Sequence, residues 1–184
     1  IEITHDYSSY ENQNKFLEGT GSIVLDRNSK IAYCALSMRS SKELFNKFCN
    51  DLDYQPVIFN SIYESKPIYH TNVLMSICNK FCIICLESIK NQEEKNNVIK
   101  SLEDSELEII EISYNQMSNY LGNCIQLIDK YGNPILVMST TAIESITSRQ
   151  LNKISKHTDI IHSDIRTIEK YGGGSARCMI AEIF

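Results

Sequence analysis

A chain that repeats one pattern at a fixed spacing must fold as copies of one supersecondary unit, because a single copy cannot bury both of its faces. This sequence repeats three times. Glu18, His70 and Gly122 stand 52 residues apart. After each comes an apolar strand: "SIVLD" from Ser22, "NVLMSI" from Asn72 and "NCIQLI" from Asn123. A polar turn follows each time, the last being "DKYGNP", and then a second strand: "IAYCAL" from Ile31, "FCIICL" from Phe81, "ILVMS" from Ile135. Three helix openings come next, "SSKE" (40–43), "NQEE" (91–94) and "TSRQ" (147–150). Each pairs a small polar residue with Glu or Gln three places on, the pattern of a capping box. Helices with apolar positions three and four apart run on from these. A third strand closes each unit: "PVIF" from Pro56, "EIIEI" from Glu108, "DIIH" from Asp159. The reading is an α/β protein of three ββαβ units, at about 18–62, 70–113 and 122–165, inside a single domain 1–184.

Composition narrows the partners. The 184 residues are 42% hydrophobic and 22% charged, with a net charge of −5. That is a globular composition. With no basic stripe, it argues against nucleic acid or an anionic membrane. No apolar run is long enough for a transmembrane helix, and no signal peptide opens the chain. The first residue is Ile1 rather than Met, which suggests a processed chain or a piece of a longer one. Seven cysteines, most of them in apolar stretches such as "CIICL", read as reduced thiols in a cytoplasmic protein. Cys78, Cys82 and Cys85 lack a fourth ligand to close a zinc site.

Three motifs remain: "FLEGTGS" (16–22), "IYHTNV" (68–73) and "GGGSARCM" (172–179). Together they resemble the guanidine-modifying enzymes, the arginine deiminase and amidinotransferase superfamily of pentein fold. The branch described as citrulline-utilisation hydrolases is the most similar. The resemblance implies an α/β-propeller of five ββαβ units around a central site. This chain would supply three units and a final nucleophile strand, 172–184, as an incomplete ring. It would lack the first portion, which in the family includes an acidic residue that grips the substrate nitrogens. No cofactor and no metal is implied.

The resemblance also assigns roles. Cys178 becomes the nucleophile, suited to a guanidinium or urea carbon because a thiolate attacks well near neutral pH. The adjacent Arg177 would favour that thiolate. His70 becomes the acid–base group, which titrates in the right range. Glu18 orients and charges it. Arg39, in "SMRSS", matches an arginine that binds the substrate α-carboxylate. Asn72 stands where deiminases carry an aspartate, and its neutral amide favours a ureido substrate over a guanidinium. Asn123 is a further candidate for the same centre. The plain alternatives are a buried structural Cys178, a strand-end His70, a loop Glu18 and a surface Arg39. His5, His157 and His162 read as structural or exposed.

The function expected is therefore hydrolysis of a C–N bond in a small ureido or guanidino amino acid, such as citrulline or arginine, through a covalent cysteine intermediate. The alternatives are an amidinotransferase, a truncated remnant without a working site, or an interaction module. Open flanks on an incomplete ring would give low turnover by these residues alone and self-association into a homo-oligomer.

Overall fold

The computed structural model describes residues 5–182. The ends of the expected domain 1–184 and of the expected strand 172–184 lie outside the described residues. Three three-stranded sheets follow one another along a mixed α/β chain. The first joins β1 (Val24–Asp26), β2 (Ile31–Ala35) and β3 (Gln55–Phe59). A short hairpin of β4 (Ile62–Tyr63) and β5 (Lys66–Pro67) follows it. The second sheet joins β6 (Met75–Ile77), β7 (Phe81–Ile84) and β8 (Glu108–Glu111), and the third β9 (Ile125–Ile128), β10 (Pro134–Ser139) and β11 (Asp159–Ser163). In every sheet the second strand is central. It pairs antiparallel with the first strand and parallel with the third. The parallel pair requires a crossover, and a helix supplies it. The crossovers are α2 (Lys42–Leu52) and α4 (Gln92–Asp104) in the first two sheets, and α6 (Thr140–Ser145) with α7 (Ser148–Ile154) in the third.

Burial follows the alternation of the strands. Along β2, Ile31, Tyr33 and Ala35 face the main core, which continues through β6, β7 and β10. Ala32 and Cys34 face a smaller cluster with Phe45 and Cys49 of α2. All four residues of β7 are fully buried. Neighbouring sheets are tied by α4, which packs on β3 and meets Tyr33 Oη at Ser101 Oγ, 2.9 Å apart. On the inner side β1 packs on β6 and β6 on β9. These first strands line a cavity of about 500 Å³.

The structure differs from the sequence reading in four places. The first strands begin later than read. Gly19–Ser22 (α1) and Thr71–Leu74 (α3) are single helical turns ahead of β1 and β6. Of the three openings read, "TSRQ" alone forms a complete capping box, at Thr147 and Gln150. Asn91 caps α4 with its own side chain, accepting from the N–H groups of Glu93 and Glu94. The helix opening at "SSKE" has Ser41 as its cap residue, without a side-chain bond, while Ser40 Oγ donates to Ser22 Oγ (2.8 Å). The fourth difference is the segment read as a strand from 172. Gly172 ends a helix, α8 (Arg166–Gly172), and Ala176–Met179 forms a 3₁₀ turn. The turn is favoured because Asn123 captures the N–H groups of Ser175 and Arg177, which a strand would direct to a neighbouring strand. Among the described residues no helix is long and apolar enough to cross a membrane.

Candidate active site

The two helical turns set the geometry. Glu18 and His70 are the residues preceding α1 and α3, and neither uses its side chain to cap the turn. Ser22 and Thr71 carry the local bonding instead. Ser22 Oγ accepts from Glu18 N–H (3.0 Å) and donates to Arg39 O (2.8 Å). Thr71 Oγ1 donates to Ser22 O (2.6 Å) and accepts from Ala35 N–H (2.8 Å), locking α3 to α1 and β2. Released from capping, the two larger side chains meet. His70 Nε2 lies 2.6 Å from Glu18 Oε2. The imidazole is mostly buried while the carboxylate is 42% exposed on its side chain, so the ring is held and the acid remains open to solvent. A Cβ at Gly21 would stand 2.8 Å from His70 Nδ1, so only glycine leaves room for the ring. At the third equivalent position, Gly122, a Cβ would collide with Val73 O of the neighbouring turn. That position has no room for a side chain, and it is the next residue, Asn123, whose side chain reaches Cys178.

Arg39 completes the first cluster. Its Nη1 lies 3.6 Å from Glu18 Oε2, and its guanidinium stands over the Tyr69 ring at 5.2 Å. Tyr69 in turn packs against the His70 ring, with centroids 4.9 Å apart.

The second cluster surrounds Cys178. Of the seven free cysteines it alone is exposed. Burial pushes the other thiols up: Cys34 to about 12, and Cys49, Cys85 and Cys124 to about 11. Two side-chain amides point at the exposed sulfur. Asn123 Nδ2 donates to Cys178 Sγ at 3.3 Å, and Asn72 Nδ2 reaches it at 3.8 Å. Asn123 Nδ2 also donates to Asn72 O (3.0 Å), and Asn123 Oδ1 accepts from Ser175 N–H (3.1 Å), so the amide orientation is fixed by its partners. Asn72 Oδ1 is buried without a protein partner among the described residues. The bend before the thiol is held on both flanks. Ser175 Oγ donates to the buried Glu169 carboxyl (2.7 Å), which also accepts from Thr141 Oγ1 (2.7 Å). On the other flank Tyr69 Oη donates to Gly173 O (2.9 Å). Gly174 must be small: a Cβ there would press on Cys178 Cβ and Sγ at 3.0 Å. Arg177 donates from Nη1 to Ile180 O (3.0 Å).

Cys178 opens onto a cavity of about 240 Å³ whose walls include Tyr63, Tyr69, Met117 and Tyr120. Asn72 lines the larger inner cavity. The structure therefore gathers Glu18, His70 and Arg39 in one cluster and Cys178, Asn72 and Asn123 in another. Residues 70–74 join them, since His70 and Asn72 flank Thr71. Tyr69, Ser175 and Glu169 were missed in the sequence. Tyr69 and Ser175 lie inside the motifs themselves, and only their adjacency to His70 and Cys178 could have drawn notice.

With the geometry described, comparison with known proteins becomes informative. The model of the family described as N,N dimethylarginine dimethylhydrolase, eukaryotic, matches residues 2–184. No curated protein matches the chain. Among solved structures, the substrate-bound N-terminal domain of ArgZ, an arginine dihydrolase from the ornithine–ammonia cycle in Cyanobacteria, is 18% identical, with a TM-score of 0.71. The match covers 90% of this chain and 56% of that one. The same domain covalently bound to a reaction intermediate gives 0.72 at 18% identity, over 91% and 56%. Agmatine deiminase of C. jejuni gives 0.58 at 16% identity, over 89% and 55%. At such identities the likeness is one of fold. The chain spans about half the length of these relatives.

Proposed function

The chain belongs to the N,N dimethylarginine dimethylhydrolase family, and so to the guanidine-modifying pentein superfamily; from that premise we propose that it is a C–N hydrolase of a ureido or guanidino amino acid, working through Cys178. The observation that carries the proposal is the convergence of two amides, Asn72 and Asn123 from successive repeats, on the sulfur of the exposed cysteine.

In this reading the Cys178 thiolate attacks the central carbon of the substrate group and forms a C–S bond. The tetrahedral adduct collapses by breaking one C–N bond, and His70 gives its proton to the departing amine. His70 then takes a proton from water, the hydroxide adds to the same carbon, and the C–S bond breaks to return the thiolate. Glu18 supports this by accepting the Nε2 proton of His70, which leaves Nδ1 as the exchanging nitrogen. Asn72 and Asn123 steady the sulfur, and Arg39 pairs with the substrate carboxylate. The neutral Asn72 favours citrulline over arginine. A transferase would differ only in using an amine where water acts. The fold we propose is an incomplete α/β-propeller with the three units given above. The free thiols suit a cytoplasmic setting.

The test is trapping. The protein is mixed with citrulline, arginine or N,N-dimethylarginine, quenched in acid and digested, and its peptides are weighed. A substrate-derived mass on the Cys178 peptide, absent from Cys178→Ser, is expected. Product formation that survives Cys178→Ser would overturn the proposal.

A further inference from the structure

Tyr69 touches the first cluster and the bend that carries Cys178, and nothing in the chemistry above uses it. Its ring packs on His70 at 4.9 Å and lies beneath the Arg39 guanidinium at 5.2 Å. Its carbonyl accepts from Ser37 Oγ (2.7 Å), and that same Oγ accepts from Arg39 N–H (3.0 Å), so the loop carrying Arg39 is anchored on Tyr69. Its hydroxyl crosses to the other cluster and donates to Gly173 O (2.9 Å), at the start of the bend that presents Cys178. Gly173 adopts φ +70, a left-handed conformation that ends α8. A carbonyl there has no continuing helix to bond with, and Tyr69 Oη meets it. The ring also walls the cavity onto which the thiol opens. Burial, and then the nearness of Cys178, raises the phenol's pKa, which keeps Tyr69 a donor across the working range.

We infer that Tyr69 is a positioning residue: a strut that fixes the distance between the His70–Glu18–Arg39 cluster and the Cys178 bend. The bond spans 104 residues of sequence, and the groups at its two ends must come together within a few tenths of an ångström for proton transfer and attack to be coordinated. This inference rests on the proposed role of Cys178.

Saturable alkylation by 2-chloroacetamidine, read by mass spectrometry, tests it without needing turnover. Its amidine group reports binding, and its C–Cl carbon reports attack by the thiol. Tyr69→Phe keeps the ring and deletes only the hydroxyl. The expected result is a maximal alkylation rate of Cys178 about fivefold lower, the worth of one ordinary hydrogen bond, with half-saturation unchanged within twofold. The thermal midpoint should hold. Tyr69→Leu, which also removes the ring from His70, should lower the rate further. A Tyr69→Phe rate within twofold of wild type would overturn the inference. So would a loss that tracks a lowered thermal midpoint and disappears on cooling. The two levels separate cleanly. If wild-type Cys178 is labelled no faster than the buried cysteines, the nucleophile reading fails. If it is faster but indifferent to Tyr69, only the strut fails.

Discussion

Two histidine–glutamate pairs among the described residues have almost the same inner geometry. His70 Nε2 meets Glu18 Oε2 at 2.6 Å, and His157 Nε2 meets Glu108 Oε2 at 3.1 Å. Their surroundings differ. His157 follows the end of α7 and stacks on Phe81 at 5.8 Å, while Glu108 begins β8 and holds Lys153 at 2.9 Å. Lys153 first, and then His157, keep the Glu108 carboxyl below its usual pKa. That pair clamps a helix to a strand. The Glu18–His70 pair lies between two helical turns on the inner side, with one arginine at the carboxylate and Tyr69 leading across to the thiol. A histidine–carboxylate contact is thus chemically neutral information; what surrounds the pair, Arg39 and Tyr69 in one case and Lys153 and Phe81 in the other, separates a candidate site from a tie.

The widest separation of the two pairs should come from alanine. His70→Ala is expected to lower formation of the Cys178 adduct by about 10²–10⁴, the usual worth of a positioned acid–base group, whereas His157→Ala should leave it within twofold. Equal effects in a trapping assay would erase the distinction. Next in size, Gly21→Ala and Gly174→Ala put a methyl against the His70 ring and the Cys178 sulfur. Each should cost about tenfold or more in adduct formation while secondary structure by circular dichroism is retained. No pocket glycine guards the His157 pair.

A third measurement sets the exposed thiol against its buried counterparts. Because burial holds Cys34, Cys49, Cys85 and Cys124 at about 11 to 12, above the ordinary thiol value of 9.0, the unfolded chain loses these protons first as pH rises. Stability is then full below pH 9.0 and declines from there towards about 12. Urea midpoints that stay flat across that window would contradict the burial of these thiols. The smallest effect belongs to the structural pair. Glu108→Gln should cost about 0.2–1 kcal/mol, as an exposed ion pair does. Since its folded pKa is lowered, that contribution is present above 4.5 and is lost as pH falls through the folded value. A Glu108→Gln chain with unchanged stability and reduced adduct formation would reverse the assignment of the two pairs.

The repeat made most of the fold legible. The second strands β2 and β7 appear where their apolar runs lie, because a strand buried on both faces is written in four or five consecutive apolar residues; the third strands are marked by shorter apolar runs, and β11 is mostly exposed. Less legible were the features in which a side chain departs from its local role. Ser40 resembles a helix cap but bonds to Ser22. Thr71 resembles a strand residue but bridges two turns. The β4–β5 hairpin turns on Glu64 and Ser65, both with positive φ and neither the Gly, Asn or Asp that such a turn favours, so composition concealed it. At the site, the motifs marked Cys178, His70 and Glu18, but an aromatic beside a histidine has no periodicity or spacing of its own, and Tyr69 is identified by distance alone.

The equivalence of Glu18, His70 and Gly122 has an evolutionary consequence. In the first two copies the backbone turn is secured by its own hydroxyl residues, Ser22 and Thr71, and not by the residue that precedes it. A gene built by duplication could therefore exchange an acid for a base at that slot without disturbing the turn, and differentiate identical modules into unlike partners by point mutation. The third copy shows the limit of this freedom. There the neighbouring main chain lies against Gly122 and leaves no room for a side chain, so such an exchange would have to fall one position along, at Asn123.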